Sequence, residues 1–181
     1  MSTRKQFVAH LALGSTGLLL GNNTLGNSDN DGEGLVVNSD EGETIMLREG
    51  TSLVKIKIAK NHGYDSMSFL SSSLPPGDII PIHKHLNEDE IIFIHKGKGI
   101  LTLGEREYSF SEDLVAMVPK GSWHGLKNTG QDYIQMRFAY SPAGFEGYFR
   151  EVGTQLGKPF IKRTLEERKP IAKKWGMIFK E

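Results

Sequence analysis

The sequence predicts an all-β fold, an antiparallel β-barrel with C-terminal helices packed outside it. Three observations carry that expectation. Short β-rich runs follow one another from Leu53 onward, glycine, proline and small polar residues separate them, and after Pro142 the apolar spacing changes from that of a strand to that of a helix. At 181 residues the chain is long enough for one ordinary domain with a hydrophobic core and too short for two of typical size.

The opening residues read as an address. Arg4 and Lys5 precede an apolar stretch from Phe7 to Leu20, which is short for a bilayer-spanning helix and has the length of a signal-peptide core. The order Thr3, Arg4, Lys5, Gln6, Phe7, Val8 resembles a twin-arginine export signal with lysine in the second arginine position. The glycine-rich tract GNNTLGNSDNDGEG then has the composition of a linker. These features divide the chain into an export signal and linker over residues 1–32, a barrel over 33–142 and a helical extension over 143–181. The expected location is the periplasm, with no stable membrane span in the mature form.

The barrel strands are expected in LVKIKIA, SMSFLSSSL, IIPIHKH, EIIFIHKGKG, ILTLGEREYSF, LVAMVPKG and DYIQMRFAYSP. Alternation is clearest in LVKIKIA, where Leu53 and Lys55 face opposite to Val54 and Ile56. Gly104 and Glu105 mark a hairpin turn, the glycine supplying the positive φ needed where the chain reverses. Beyond Pro142, Phe145, Phe149, Val152 and Leu156 lie at helical spacing with Gly157 placed to end the helix. A second helix should open with the capping-box pattern of Thr164 and Glu167 and close near Gly176, with Pro170 delaying its start.

Composition narrows the partners. Twenty-two basic residues balance 22 acidic ones, so no global field favours nucleic acid or an anionic membrane, and a small-molecule ligand is expected. The chain has no cysteine, which removes disulfides, thiolate ligands and a cysteine nucleophile together. Any metal must therefore use nitrogen and oxygen ligands. A small barrel also leaves strand edges to protect, and a homodimer is one way to do it.

Histidine is scarce, yet His83, His85, Glu90 and His124 fall in two glycine- and proline-bracketed segments of β character. His83 and His85 are two apart on a strand, so both leave the same face. Glu90 follows the polar break LNED, from which an adjoining strand could return a carboxylate; Glu88 and Asp89 are its alternatives. His124 follows the turn PKGSW. Three imidazoles and a carboxylate suit one divalent transition metal, Fe, Mn, Ni, Cu, Co or Zn, and are too rich in nitrogen for Ca or Mg. His10, His62 and His95 are not expected as ligands. Arg137 is a weaker candidate, an anchor for an anionic substrate or an ordinary exposed strand arginine.

Residues 77–97, GDIIPIHKHLNEDEIIFIHKG, are similar to the first motif of the cupin family, G-x5-H-x-H-x4-E-x6-G, at every fixed position. Residues 119–128, PKGSWHGLKN, are similar to the second, P-x-G-x2-H-x3-N, with Asp113 where that motif begins with glycine. The resemblance covers about residues 53–142 and is to the small quercetin-dioxygenase-like cupins, a similarity that extends to SPAGFEGYFRE. It implies a jelly-roll-like barrel holding a metal on His83, His85, Glu90 and His124. It further implies a metal-dependent, dioxygenase-like enzyme acting on an aromatic or enolic substrate, with Glu90 as catalytic base. An isomerase, lyase or decarboxylase, and a non-enzymatic binder of a small ligand, are the alternatives within the same family.

Overall fold

The structure is a computed structural model that describes residues 34–48 and 51–181. The expected export signal over residues 1–32, with His10, lies outside the described residues. Among the described residues, twelve strands and two α-helices follow in chain order. The strands preceding the first helix are β1 (Glu43–Arg48), β2 (Ser52–Ile58), β3 (Ser68–Leu74), β4 (Ile79–His85), β5 (Asp89–Lys96), β6 (Gly99–Leu103), β7 (Arg106–Phe110), β8 (Leu114–Val118), β9 (His124–Asn128) and β10 (Ile134–Ser141). Helix α1 (Glu146–Val152), β11 (Thr154–Gln155), α2 (Leu165–Lys174) and β12 (Met177–Phe179) complete the chain.

The strands form two antiparallel sheets, one ordered β11-β1-β2-β3-β10-β5-β8 and the other β12-β4-β9-β6-β7. The barrel expected from the sequence takes the form of this two-sheet jelly roll rather than a closed ring. One core lies between the sheets. Ile92, Ile94 and Phe138 from the larger sheet pack in the same buried cluster as Leu101, Phe110 and Leu126 from the smaller one. Period-two alternation explains the division: on β10, Ile134, Met136, Phe138 and Tyr140 are buried while Gln135 and Arg137 are exposed.

The turn chemistry reads directly from the residues. Gly104 has φ +63 and joins β6 to β7, whose Leu103 and Arg106 pair across the turn. Gly97 has φ +107 and stands against β10, where an added Cβ would lie 2.7 Å from the Ile134 Cα, so no side chain fits. Asp113, in the place where glycine begins the second motif, adopts φ +47, a conformation that aspartate tolerates better than most residues. Asn128 pins the turn into β10, donating to the carbonyls of Leu74 and Asp132 and accepting from the Gly130 amide, each at 2.9 Å.

Four expectations need correction. The first helix ends at Gly153, not Gly157, and Leu156 is exposed. The reason is packing: a Cβ at Gly153 would lie 2.2 Å from the Ile45 Cγ2, and the next two residues pair with β1 as β11. Pro170 does not delay α2, because the Thr164–Glu167 capping box satisfies its first turn and proline removes only one later hydrogen bond. The strand β1 and the C-terminal strand β12 were not expected. The run ETIMLR follows a polar tract and shows no clear alternation, although β1 pairs with the next strand, Arg48 opposite Ser52, and β12 is only three residues long and pairs with β4, far away in sequence.

The fourth correction concerns Glu90. Strands β4 and β5 are consecutive in sequence but belong to different sheets, so the break after β4 carries the chain across the sandwich. The two helices lie outside the sheets as expected, and the inward face of α1 also closes the space between them. Gly147 permits this: Trp175, which follows α2, packs where a Cβ on Gly147 would be, 2.0 Å from its Cη2, and donates to Glu151 at 2.8 Å.

Candidate metal centre

The site begins with an irregularity in β4. Ile80 pairs with Leu126 and His83 with His124, leaving one extra residue in β4 at Pro81 and Ile82. Proline suits a bulge because it has no N–H to leave unpaired. Opposite it, Gly125 allows β9 to come close, since an added Cβ would lie 3.0 Å from the Ile80 carbonyl oxygen. The bulge turns the Pro81 carbonyl onto His83 Nδ1 at 2.8 Å, and on β9 the Ser122 carbonyl faces His124 Nδ1 at 3.1 Å. When each Nδ1 donates its proton to that carbonyl, each Nε2 is left as a lone pair directed inward.

His83, His85 and His124 come from the smaller sheet and Glu90 from the larger. All four are buried, and one ligating atom from each lies within 4.8 Å of the others. His124 Nε2 is 2.9 Å from Glu90 Oε2, and His85 Nε2 is 3.5 Å from the same oxygen. Neither ring nitrogen of His85 has a hydrogen-bond partner, although the ring is buried against Tyr140 and Phe145 at centroid distances of 5.1 and 4.3 Å. Buried nitrogens without partners are costly unless something else takes the lone pair. The donor set, three imidazoles and one carboxylate on a converging point, is the kind that holds a divalent transition metal.

The electrostatics favour the ligand forms. Burial, aided by the neighbouring His124 and His85, holds His83 down at about 3, so its ring is neutral at ordinary pH. Burial acts to raise the Glu90 carboxyl, but the contact with His124 at 2.9 Å, the approach of His85 to 3.5 Å and the positive charge of these rings when protonated outweigh it and hold it at about 2. Tyr140 lies against Glu90. Burial first, then the Glu90 charge and hydrogen bond, push its hydroxyl well above the usual tyrosine range, so it stays protonated.

A cavity of about 130 Å³ opens beside the cluster. His83, Glu90 and His124 form its polar end, and Ile92, Met136, Phe138 and Phe149 are among its apolar walls. Sequence reasoning did not place Phe145, Tyr148 or Arg168 here. Phe145 belonged to a helical apolar stripe, which reads equally as core, and Tyr148 and Arg168 carried no signal of their own.

The other candidates separate cleanly. Glu88 is buried but has an unpartnered oxygen of its own, and burial raises its carboxyl to about 7. Asp89 accepts from the Lys120 amide at 2.9 Å. His62 lies exposed in a 3-10 turn over Lys60–His62. His95 and Arg137 lie on the outer face of the larger sheet, in a groove with Lys55 and Ser71, so Arg137 does not reach the cavity. Among the described residues no helix is long and apolar enough to cross a membrane.

Comparison with known proteins agrees with this geometry. The Cupin domain family model matches residues 70–140. An oxalate-binding protein of Thermotoga maritima is 30% identical over 111 residues, 58% of this chain and 92% of that protein. An uncharacterized protein of Bacillus subtilis is 30% identical over 76 residues, and there the chain spans 41% of the relative's length. Among solved structures, a Thermotoga maritima protein described as a "predicted oxalate decarboxylase" superimposes with TM-score 0.53 at 24% identity, covering 60% of this chain and 99% of that one. The structure of KdgF from Halomonas sp. superimposes with TM-score 0.54 at 16% identity, covering 64% and 99%. The paired motifs, the two-sheet jelly roll and the buried His/Glu cluster thus agree with the similarity to these proteins, and the chain belongs to the cupin family.

Proposed function

We propose that this cupin is a metal-dependent oxidoreductase of dioxygenase type acting on a small aromatic or enolic substrate. The observation that carries the reading is the cavity: it is apolar over most of its wall and meets the His/Glu cluster at one end. His83, His85, Glu90 and His124 would hold a divalent transition metal, which would supply Lewis acidity at this end of the cavity.

The chain's own residues supply the rest. Glu90, ionised, is placed to accept the proton of a substrate hydroxyl at the polar end of the cavity. Tyr140, kept protonated, hydrogen-bonds Glu90 and orients it. Phe138 and Phe149 exclude water from the substrate. Apart from Glu90 and Tyr140, the walls carry few groups able to move protons, which favours this reading over an isomerase or lyase. Oxygen uptake by metal-loaded protein with a panel of catechols and flavonols tests it. Uptake with at least one substrate is expected, and none with any of the metals named above contradicts it.

A second reading is a binder or decarboxylase of a small dicarboxylate, favoured by the relative named as an oxalate-binding protein. Saturable oxalate binding without turnover would mark a binding protein, and anaerobic turnover a decarboxylase. Export remains part of the proposal on the N-terminal residues, and detection of the unprocessed chain in the cytosol alone would remove it.

A further inference from the structure

The apolar cavity is bordered by two arginines, Arg48 and Arg168. Their surroundings differ. Arg48 Nη1 lies 2.6 Å from Asp78 Oδ1 and its Nη2 donates to the Ile79 carbonyl at 3.1 Å, so its charge is already matched. Arg168 donates Nε to the Arg163 carbonyl at 3.2 Å, and among the described residues no carboxylate pairs with it. Its two terminal nitrogens are left for something else. A half-buried guanidinium beside an apolar cavity is stabilised by an anion that accepts both donors, and a carboxylate matches that fork.

The arginine is held in place from several directions. The Thr164–Glu167 capping box starts α2 one turn before it. Arg163, whose carbonyl receives its Nε, donates its own Nη1 to the Val152 carbonyl at 3.0 Å and so ties the segment to α1. Trp175 locks the two helices together on Gly147. Arg168 lies outside the stretch matched by the family model, so this arrangement belongs to the C-terminal extension of this chain.

We propose that Arg168 is the anion-recognition group of the cavity and that the ligand is a small organic carboxylate with an apolar body. The carboxylate sits on Arg168, the body lies along Phe138, Tyr148 and Phe149, and the opposite, hydroxyl-bearing end meets His83, Glu90 and His124. The cavity of about 130 Å³ is close to the roughly 150 Å³ that takes up a benzene ring, so it matches the ring of such a ligand, whose polar ends would lie at its two borders. The inference rests on the reading of the His/Glu cluster as a metal centre.

The test is calorimetric titration of metal-loaded full-length protein with 3,4-dihydroxybenzoate and with catechol, which differ by one carboxylate. Wild type is expected to prefer the dihydroxybenzoate by about tenfold or more. Arg168→Gln should erase the preference while catechol affinity stays within roughly twofold, and Arg168→Lys, which keeps the charge without the fork, should fall between. Equal binding of the two by wild type, a preference that survives Arg168→Gln, or no binding of either overturns the proposal. Thermal melting of both variants checks that they fold. Elemental analysis separates the two readings: a preference lost in Arg168→Gln on protein unable to hold metal upholds the anion site and refutes the metal centre. Loaded protein without a preference does the reverse.

Discussion

His124 Nε2 lies 2.9 Å from Glu90 Oε2 while its Nδ1 faces the Ser122 carbonyl at 3.1 Å. A neutral imidazole has one N–H, and the carbonyl is its natural acceptor. The Nε2 lone pair then meets a carboxylate oxygen, two acceptors in contact, and the pair is satisfied either by a second proton or by a cation between them. Metal binding should therefore relieve this contact and stabilise the fold, and a higher melting temperature is expected for metal-loaded than for metal-free protein. The same melting temperature in both would contradict the arrangement.

The metal-free protein should lose stability in acid. His83 is held at about 3 in the folded state against an ordinary value of 6.5, so between those values the unfolded chain binds more protons. Its contribution is present above 6.5 and lost as pH falls toward 3; that of Glu90 is present above 4.5 and lost toward 2. Glu88 works the other way. Raised by burial from 4.5 to about 7, it contributes stability below 4.5 that is lost as pH rises through 7. Urea midpoints from pH 3 to 8 should climb through the acid range and sag near neutrality, and Glu88→Gln should remove the sag. A midpoint that rises steadily to pH 8 in wild type would count against the Glu88 environment described here.

Gly147→Ala should destabilise the fold although alanine is the better helix former. The added Cβ would sit 2.0 Å from the Trp175 ring, so the ring or the helix must move. Overpacking of this kind costs about 1–3 kcal/mol, more than the roughly 1 kcal/mol gained in helix propensity. A lower denaturation midpoint is expected; an unchanged or higher one would mean that Trp175 does not lock α1 to α2.

Glu90→Gln keeps the shape of the side chain and removes its charge and basicity. If Glu90 accepts the substrate proton, turnover should fall by about 100-fold or more while metal occupancy falls much less. Equal losses in turnover and occupancy would make Glu90 a ligand and nothing further.

Much of the site was legible because its information is local. His83 and His85 share a face by strand alternation, and the motif glycines and Pro119 fix the turns around them. What was not legible depends on distant partners. The placement of Glu90 across the sandwich follows from β4 pairing with β9 and β12 instead of β5, a choice made by the whole sheet order. The role of α1 was hidden for a related reason: Phe145 and Phe149 make one apolar stripe whether they face core or cavity, and only the packing of Trp175 on Gly147 decides how far the helix reaches. Arg168 carried no sequence signal, since only the folded chain shows that no carboxylate among the described residues pairs with it.

The central claim is that His83, His85, Glu90 and His124 hold one metal ion. Elemental analysis of purified wild type, His83→Ala and His124→Ala, each confirmed folded by circular dichroism, tests it most directly. About one equivalent of a divalent transition metal in wild type and almost none in either variant is the predicted result. Full metal content in both variants would contradict it.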